Sequence, residues 1–266
     1  MGFFVIIIMK DRRNFDYWVI LMIIGAAIPI ILQFKVRPLT SAFFFFVLPT
    51  LYLFFKRPKP IKRIWAGTLL LGVGLGFTFN VILSANKAWD ELSSQLVFNY
   101  RIFGFWPMDE PIWFILWVLF ILTFYEHFYD REKSDYVSGR FKYVIVPTFL
   151  ILFIVLTLFA IKQDILRLPY AYFILALPSI IPVVYVAKID PYLLVKFVKA
   201  GGFFFILYLI YEITALKLGQ WYFSGEYIGF VKLAGVQFPF EELLFWIILS
   251  STAILSLYEG FVDNEK

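Results

Sequence analysis

Residues 141–161 read FKYVIVPTFLILFIVLTLFAI, with Lys142 as the one charged side chain. A helix needs about 20 predominantly apolar residues to cross a bilayer. This stretch has that length and is too uniformly apolar to be the half-buried helix of a soluble domain. Working outward from it, seven further apolar runs stand at roughly 17–34, 41–55, 64–84, 111–129, 170–187, 192–213 and 240–259. The 266-residue chain is 62% apolar, with 34 Phe, and its mean hydropathy is +0.82. Soluble domains are nearer half apolar. The expected fold is an all-α membrane protein of about eight transmembrane helices with short connections and no room for a soluble domain.

Lys and Arg set the expected orientation. With eight spans, both termini and the even-numbered loops share one side. That side carries Lys10, Arg12, Arg13, Lys56, Arg57, Lys59, Lys62 and Arg63, then Arg131, Lys133, Arg140, Lys142, Lys188, Lys196, Lys199 and Lys266. It should be cytoplasmic, in the cell membrane. The run at 41–55 is short, and starting its helix near Pro38 makes a tilted span. Met1–Met9 lacks the basic start and small-residue cleavage site of a signal peptide. It is read as a retained apolar segment at the interface.

Composition removes several classes of chemistry. There are no cysteines, hence no disulfide, thiolate ligand or thiol nucleophile. The net charge of +5 reflects cytoplasmic loops, and no nucleic-acid module is visible. His127 is the one histidine; it is read as a helix-end polar residue, and no metal site is expected. Residues 130–135 (DREKSD) lack the Asp-x-x-x-Asp spacing of diphosphate–Mg²⁺ enzymes and are read as a solvated loop. Gly72, Gly74 and Gly76 lie inside a span with no strand before them, so they make a helix-packing face rather than a dinucleotide loop. No flavin or nicotinamide fingerprint occurs. The expected chemistry is redox-neutral, with no cofactor.

The chain reads as two copies of one pattern. Setting Trp89 on Trp221, an offset of 132, places Pro107 on Pro239, Asp109-Glu110 on Glu241-Glu242 and Asn80 on Glu212. After a one-residue slip, Tyr125-Glu126 meets Tyr258-Glu259 and Asp130 meets Asp263. The expected units are residues 1–135 and 136–266, two parallel four-helix repeats. An even number of spans per copy relates them by an axis along the membrane normal. Both acidic pairs then lie on one face of the membrane, at the starts of spans four and eight.

The bland reading of Pro-x-acid-acid is a good helix start, with acids in the first turn serving the helix dipole and free N–H groups. Duplication of the pair and the cost of carboxylates beside hydrocarbon favour a functional reading. A carboxyl in an apolar pocket resists ionisation, more so beside a second carboxylate, and can donate a proton near neutrality. A nearby carboxylate can stabilise positive charge or take a proton away. Aromatic faces stabilise cations. Trp89, Trp106, Trp113, Trp221, Tyr222, Phe223, Phe240, Phe245 and Trp246 stand in the right loops and helix starts, although an interfacial aromatic belt would account for more than half of them.

At these residues the sequence resembles the integral-membrane lycopene cyclase domain family of the heterodimeric and fused type. The resemblance rests on Lys217-Leu-Gly-Gln-Trp221-Tyr-Phe223, Glu226-Tyr-Ile-Gly229, Pro239-Phe-Glu241-Glu242-Leu-Leu-Phe245 and Tyr258-Glu259, and covers about residues 36–263 in two copies. Glu212 stands where the family has an acid. The half with the full motif set comes second here, which fits either halves in exchanged order or a divergent branch of the family, and Asp109 and Pro111 depart from the common pattern.

The resemblance implies acid-catalysed cyclisation of lycopene-type ψ-end groups to β-ionone rings. Glu241 or Glu242 would protonate the terminal double bond. Asp109 and Glu110 would be the partner pair, as base or cation stabiliser. Glu212 and Asn80 would orient the acids, with Trp221, Trp89, Phe223, Phe245 and Trp113 around the substrate. The implied partners are a linear carotenoid, the lipid bilayer and, as neighbours in the membrane, a second copy or other carotenoid enzymes, with no nucleic acid. The competing readings are a related membrane isoprenoid enzyme, an end-group hydratase or isomerase, and a non-catalytic carotenoid- or retinal-binding membrane protein. A retinal Schiff base would need a lysine inside span eight, which has none.

Overall fold

A computed structural model describes residues 12–56, 60–104, 106–130 and 135–263. The N-terminal apolar segment at Met1–Met9 and several of the basic residues used for orientation, such as Arg57, Lys59, Arg131 and Lys133, lie outside the described residues. Among the described residues eight helices are long and apolar enough to cross a membrane. They are α1 (Arg13–Phe34), α2 (Pro38–Phe55), α3 (Ile61–Ala85), α4 (Asp109–Phe128), α5 (Phe141–Ile161), α6 (Ala171–Ile189), α7 (Pro191–Lys217) and α8 (Glu242–Phe261). Each matches an apolar run to within a few residues, and α2 does begin at Pro38. The chain is an all-α, multi-pass membrane protein.

The helices divide by what covers them. In α4, 61% of the most apolar window is buried against protein, in α3 and α8 56%, but in α5 22% and α6 17%. So α3, α4 and α8 form the centre, while α5 and α6 present side chains such as Tyr143, Val146, Phe153 and Ile181 outward. Such a surface is stable only against lipid.

Glycine sets the closest helix contacts. A Cβ on Gly74 would stand 2.6 Å from Thr148 Cγ2 of α5, and one on Gly76 2.9 Å from a ring carbon of Phe114 in α4. The glycines of α3 are therefore a packing face, as the sequence suggests. Gly67 is crowded from two helices at once: its Cβ would lie 2.7 Å from both Leu122 and Tyr258. Gly67→Val is expected to cost about 1–3 kcal/mol by overpacking, read as a lower thermal midpoint of the purified protein, whereas Gly25→Val, with open space around it, should leave the midpoint unchanged.

Short hairpins lead into α4 and α8. Strand β1 (Arg101–Ile102) pairs antiparallel with β2 (Trp106–Pro107), and β3 (Phe230–Leu233) with β4 (Val236–Pro239). The β3–β4 turn is Ala234-Gly235, both at positive φ (50° and 83°), the tight-turn geometry that glycine permits. Three stretches, Phe43–Val47, Thr68–Leu75 and Glu242–Leu249, are π-helical. Such stretches are uncommon and frequent at functional sites.

Contacts at both ends of the bundle join the two halves of the sequence. Asp90 and Tyr222, 132 apart, exchange backbone hydrogen bonds of 2.9 and 3.0 Å. At the other end of the bundle, Tyr125 donates to Glu259 while Tyr258 donates to Glu126.

That second end holds a buried charge cluster. Arg63, fully buried, lies 3.4 Å from Glu126, 3.5 Å from Asp130 and in direct contact with Asp263. Lys196 reaches Asp130 at 3.6 Å. This corrects the reading of residues 130–135 as a solvated loop: Asp130 is 3% exposed, because the end of α4 must neutralise Arg63 at the start of α3. Residues 131–134 lie outside the described residues. Oxygens of Glu126, Asp130 and Asp263 lie within 4.8 Å of one another, and the cation already among them is the protein's own guanidinium. His127 is a helix-end residue with a specific partner, Asp16 at 3.0 Å. Asp16 also accepts from Tyr52 at 2.6 Å and meets Lys56 at 3.2 Å.

Candidate functional site

The acid pairs sit where the hairpins enter α4 and α8, and in each pair the two acids part company. Asp109 accepts from the amides of Val97 and Phe98 at 2.7 and 2.9 Å. Glu241 accepts from the amide of Ile228 at 2.7 Å. Both first acids are buried and hold the preceding loop; neither is in the wall of the central cavity. This differs from both readings of the motif. The first acid does not cap its own helix: both oxygens of Asp109 and Oε1 of Glu241 go to loop amides, while Glu241 Oε2 is buried with no hydrogen-bond partner, and the first acid does not line the central cavity. The second acids, Glu110 and Glu242, do.

They face one cavity of about 500 Å³ between the central helices, within the usual range of ligand pockets. On α8 its wall runs from Glu242 to Leu257, a length of about 20 Å at the helical rise per residue. The rest is mostly apolar: Leu71, Leu75, Phe79 and Leu83 from α3, Phe114 from α4, and Pro178 and Pro182 from α6. Four carboxylates, Glu91, Glu110, Glu212 and Glu242, are the only charged side chains in the wall among the described residues.

Their partners are few. Ser84 donates to Glu110 at 3.0 Å, and Asn80, Trp89 and Trp106 stand around the same carboxylate. Glu212 accepts from the indole of Trp221 at 3.1 Å and faces Glu242. Glu242 meets the hydroxyl of Tyr172, and its Oε2 is buried with no hydrogen-bond partner. Asn80 accepts from Trp106 rather than from Trp89, so the exact counterpart of the Glu212–Trp221 pair is not reproduced in the first half. An unsatisfied buried oxygen costs about 1–3 kcal/mol.

An aromatic wall backs the acids. Trp113 stacks on Trp117 with ring centroids 5.5 Å apart. Trp246 lies 4.8 Å from Trp117 and stacks on Tyr208 at 4.4 Å. The indoles of Trp113 and Trp117 donate to Tyr211 and Tyr208 at 2.8 and 2.7 Å. Their N–H groups are thereby occupied, and all three indoles line the cavity. Of the nine aromatics, Tyr222 and Phe240 are 45% and 43% exposed, and the other seven are buried or half-buried. Of these, Trp89, Trp113, Trp221, Phe223, Phe245 and Trp246 line the cavity.

Tyr172 is also part of the wall of a second hollow, about 480 Å³, which is bordered by Lys87, Arg167 and Glu226 in the loops. Tyr172 therefore stands between the second hollow and the apolar cavity. Tyr172 and Glu91 are the residues that sequence reasoning missed. Tyr172 carries no motif, and the offset sets Glu91 on Phe223, so no matching acid marks it.

The fold and cavity define a polytopic membrane protein with an acid-bearing apolar chamber at the centre of its helix bundle. No protein-family model matches the chain, and neither a curated protein nor a solved structure matches it.

Proposed function

We propose that this protein is a membrane enzyme that cyclises the ψ-end group of a linear carotenoid such as lycopene by acid catalysis, without a cofactor. The observation that carries the reading is the elongated apolar cavity whose only charged lining groups, among the described residues, are carboxylates. A long hydrocarbon needs such a chamber, and a reaction through a carbocation needs a proton donor, a proton acceptor and aromatic faces. The resemblance to the integral-membrane lycopene cyclases supports the same reading.

In this reading the end group enters between the central helices and rests on Trp113, Trp117 and Trp246. Glu242 delivers a proton to the terminal double bond, and its electron pair becomes the new C–H bond. The tertiary cation left behind is attacked by the neighbouring alkene, which closes a six-membered ring and moves the charge to a ring carbon. A carboxylate on the Glu110 side removes a ring proton, and its electrons become the ring double bond. Substrate and product have the same atoms. Glu212, held by Trp221, stabilises the charge near Glu242, and Tyr172 returns the proton from the second hollow. Asp109 and Glu241 hold the loops that form the cavity's lid. The site lies toward the extracytoplasmic face of the cell membrane, with the termini cytoplasmic, because the basic residues collect at the opposite end.

The test is expression in a lycopene-accumulating bacterial host, with pigments separated and identified by absorbance and mass. A product of unchanged mass with a cyclised end group is expected. A product that has gained one water would replace cyclase by hydratase. Unchanged lycopene, with the protein present in the membrane, would contradict the proposal.

A further inference from the structure

Resting on the cyclase reading, we propose that Glu91 is the base-side partner of Glu110, and that it supplies to the first half the second carboxylate that Glu212 supplies to the other.

The halves differ in a compensating way. Under the offset of 132, the cavity-facing positions pair as Asn80 with Glu212, Glu91 with Phe223 and Glu110 with Glu242. The second half has acids at the first and third of these places. In the first half the acid at the first place is replaced by Asn80, an amide whose oxygen is taken by Trp106. Side-chain amides do not ionise near neutrality, so with Asn80 alone Glu110 would lack a second acid–base group beside it. At the second place the apolar Phe223 is replaced by Glu91. Each half therefore brings two carboxylates to one cavity, by different positions.

The position of Glu91 is fixed by the fold. The residue before it, Asp90, is tied to Tyr222 by the two backbone hydrogen bonds and by the Tyr222 hydroxyl at 3.1 Å. This crossing of the two loops turns Glu91 inward, where it lines the cavity and one of its oxygens is buried with no hydrogen-bond partner. The charged groups that face it are Glu110, Asp109, Arg101 and Asp90. Burial first, then the charge of Glu110 and of Asp109, holds the Glu91 carboxyl well above the usual carboxylate range. Once ionised there, it is a stronger base than a solvated carboxylate and retains the proton it accepts. A surface loop acid with no role would have both oxygens in water.

In the reaction, Glu91 takes the ring proton: its lone pair forms the O–H bond, and the C–H pair becomes the ring double bond. Removing a base has a different signature from removing an acid. Without the acid no cation forms. Without the base the cation still forms but loses a proton from another carbon or captures water.

The experiment compares pigments from the lycopene-accumulating host expressing wild type, Glu91→Gln, Glu91→Asp and Asp109→Asn, each normalised to protein in the membrane. For Glu91→Gln the expectation is a fall in β-ring product of about 100-fold or more, with the remaining turnover shifted to rings with a displaced double bond or to a water adduct. Glu91→Asp should restore part of the β-ring product. Asp109→Asn should lower the amount of protein rather than change the product, because its carboxylate holds loop amides. If wild type makes β-rings and Glu91→Gln makes them at the same rate and in the same proportion, the assignment of Glu91 is overturned and the cyclase reading stands. If wild type makes no ring, the cyclase reading fails and this assignment with it.

Discussion

Glu242→Gln is expected to abolish ring formation, lowering turnover by about 10²–10⁴-fold, the usual scale for a general acid, while leaving the protein in the membrane. Glutamine keeps the shape of the side chain, so little packing changes. What it loses is the transferable proton. The effect should far exceed that of Glu241→Gln. Glu241 is the adjacent residue, but its carboxylate binds the Ile228 amide and has no place in the cavity wall. That variant should weaken the hairpin before α8 and be read mainly as a lower thermal midpoint. Pigment analysis together with a membrane blot separates the two outcomes. Equal activity in Glu242→Gln and wild type would leave the acid as an ordinary helix-start residue.

Arg63→Met is expected to have the largest effect on stability. Its guanidinium is completely buried and touches three carboxylates from the ends of α4 and α8. Breaking a buried ion pair by deleting one partner typically costs about 3–5 kcal/mol, because the other charge is left uncompensated. Here three acids lose their common partner, with Lys196 reaching only Asp130. The expected result is a protein that accumulates poorly and unfolds at a much lower temperature in detergent. Combining Arg63→Met with Glu126→Gln and Asp263→Asn should recover part of the loss, since neutral side chains need no counter-charge. A single variant as stable as wild type would show that the cluster is solvated rather than buried.

The fold was largely legible because a bilayer imposes one length and one polarity on every span. Each of the eight runs could be found without knowing its neighbours. The site was legible only in part. Pro-x-acid-acid located the two helix starts, but the motif could not say which acid faces inward. That depends on where the hairpin releases the chain: Asp109 and Glu241 emerge beside the loop amides, and Glu110 and Glu242 beside the cavity. Glu91 was invisible for a related reason. Its inward direction comes from the Asp90–Tyr222 crossing, a contact between residues 132 apart, and internal repetition points only to places where both halves carry the same chemistry. The Arg63 cluster was hidden because Asp130 sits in a run of alternating charges that resembles a solvated loop. The π-helical stretch Glu242–Leu249, which carries Phe245 and Trp246 on the cavity side, has no sequence signature distinct from an ordinary apolar helix.

The central claim is that carboxyl groups in the cavity move protons on and off a carotenoid end group. The most direct measurement is turnover of lycopene by the purified protein in lipid vesicles prepared in heavy water, followed by mass analysis of the pigment. Protonation at the terminal double bond leaves solvent hydrogen on the ring, and the proton removed comes from a different carbon. The account expects a cyclised product carrying one deuterium for each ring formed, and no deuterium in the pigment from Glu242→Gln. Lycopene recovered uncyclised and unlabelled from wild-type vesicles, or rings formed without solvent hydrogen, would contradict it.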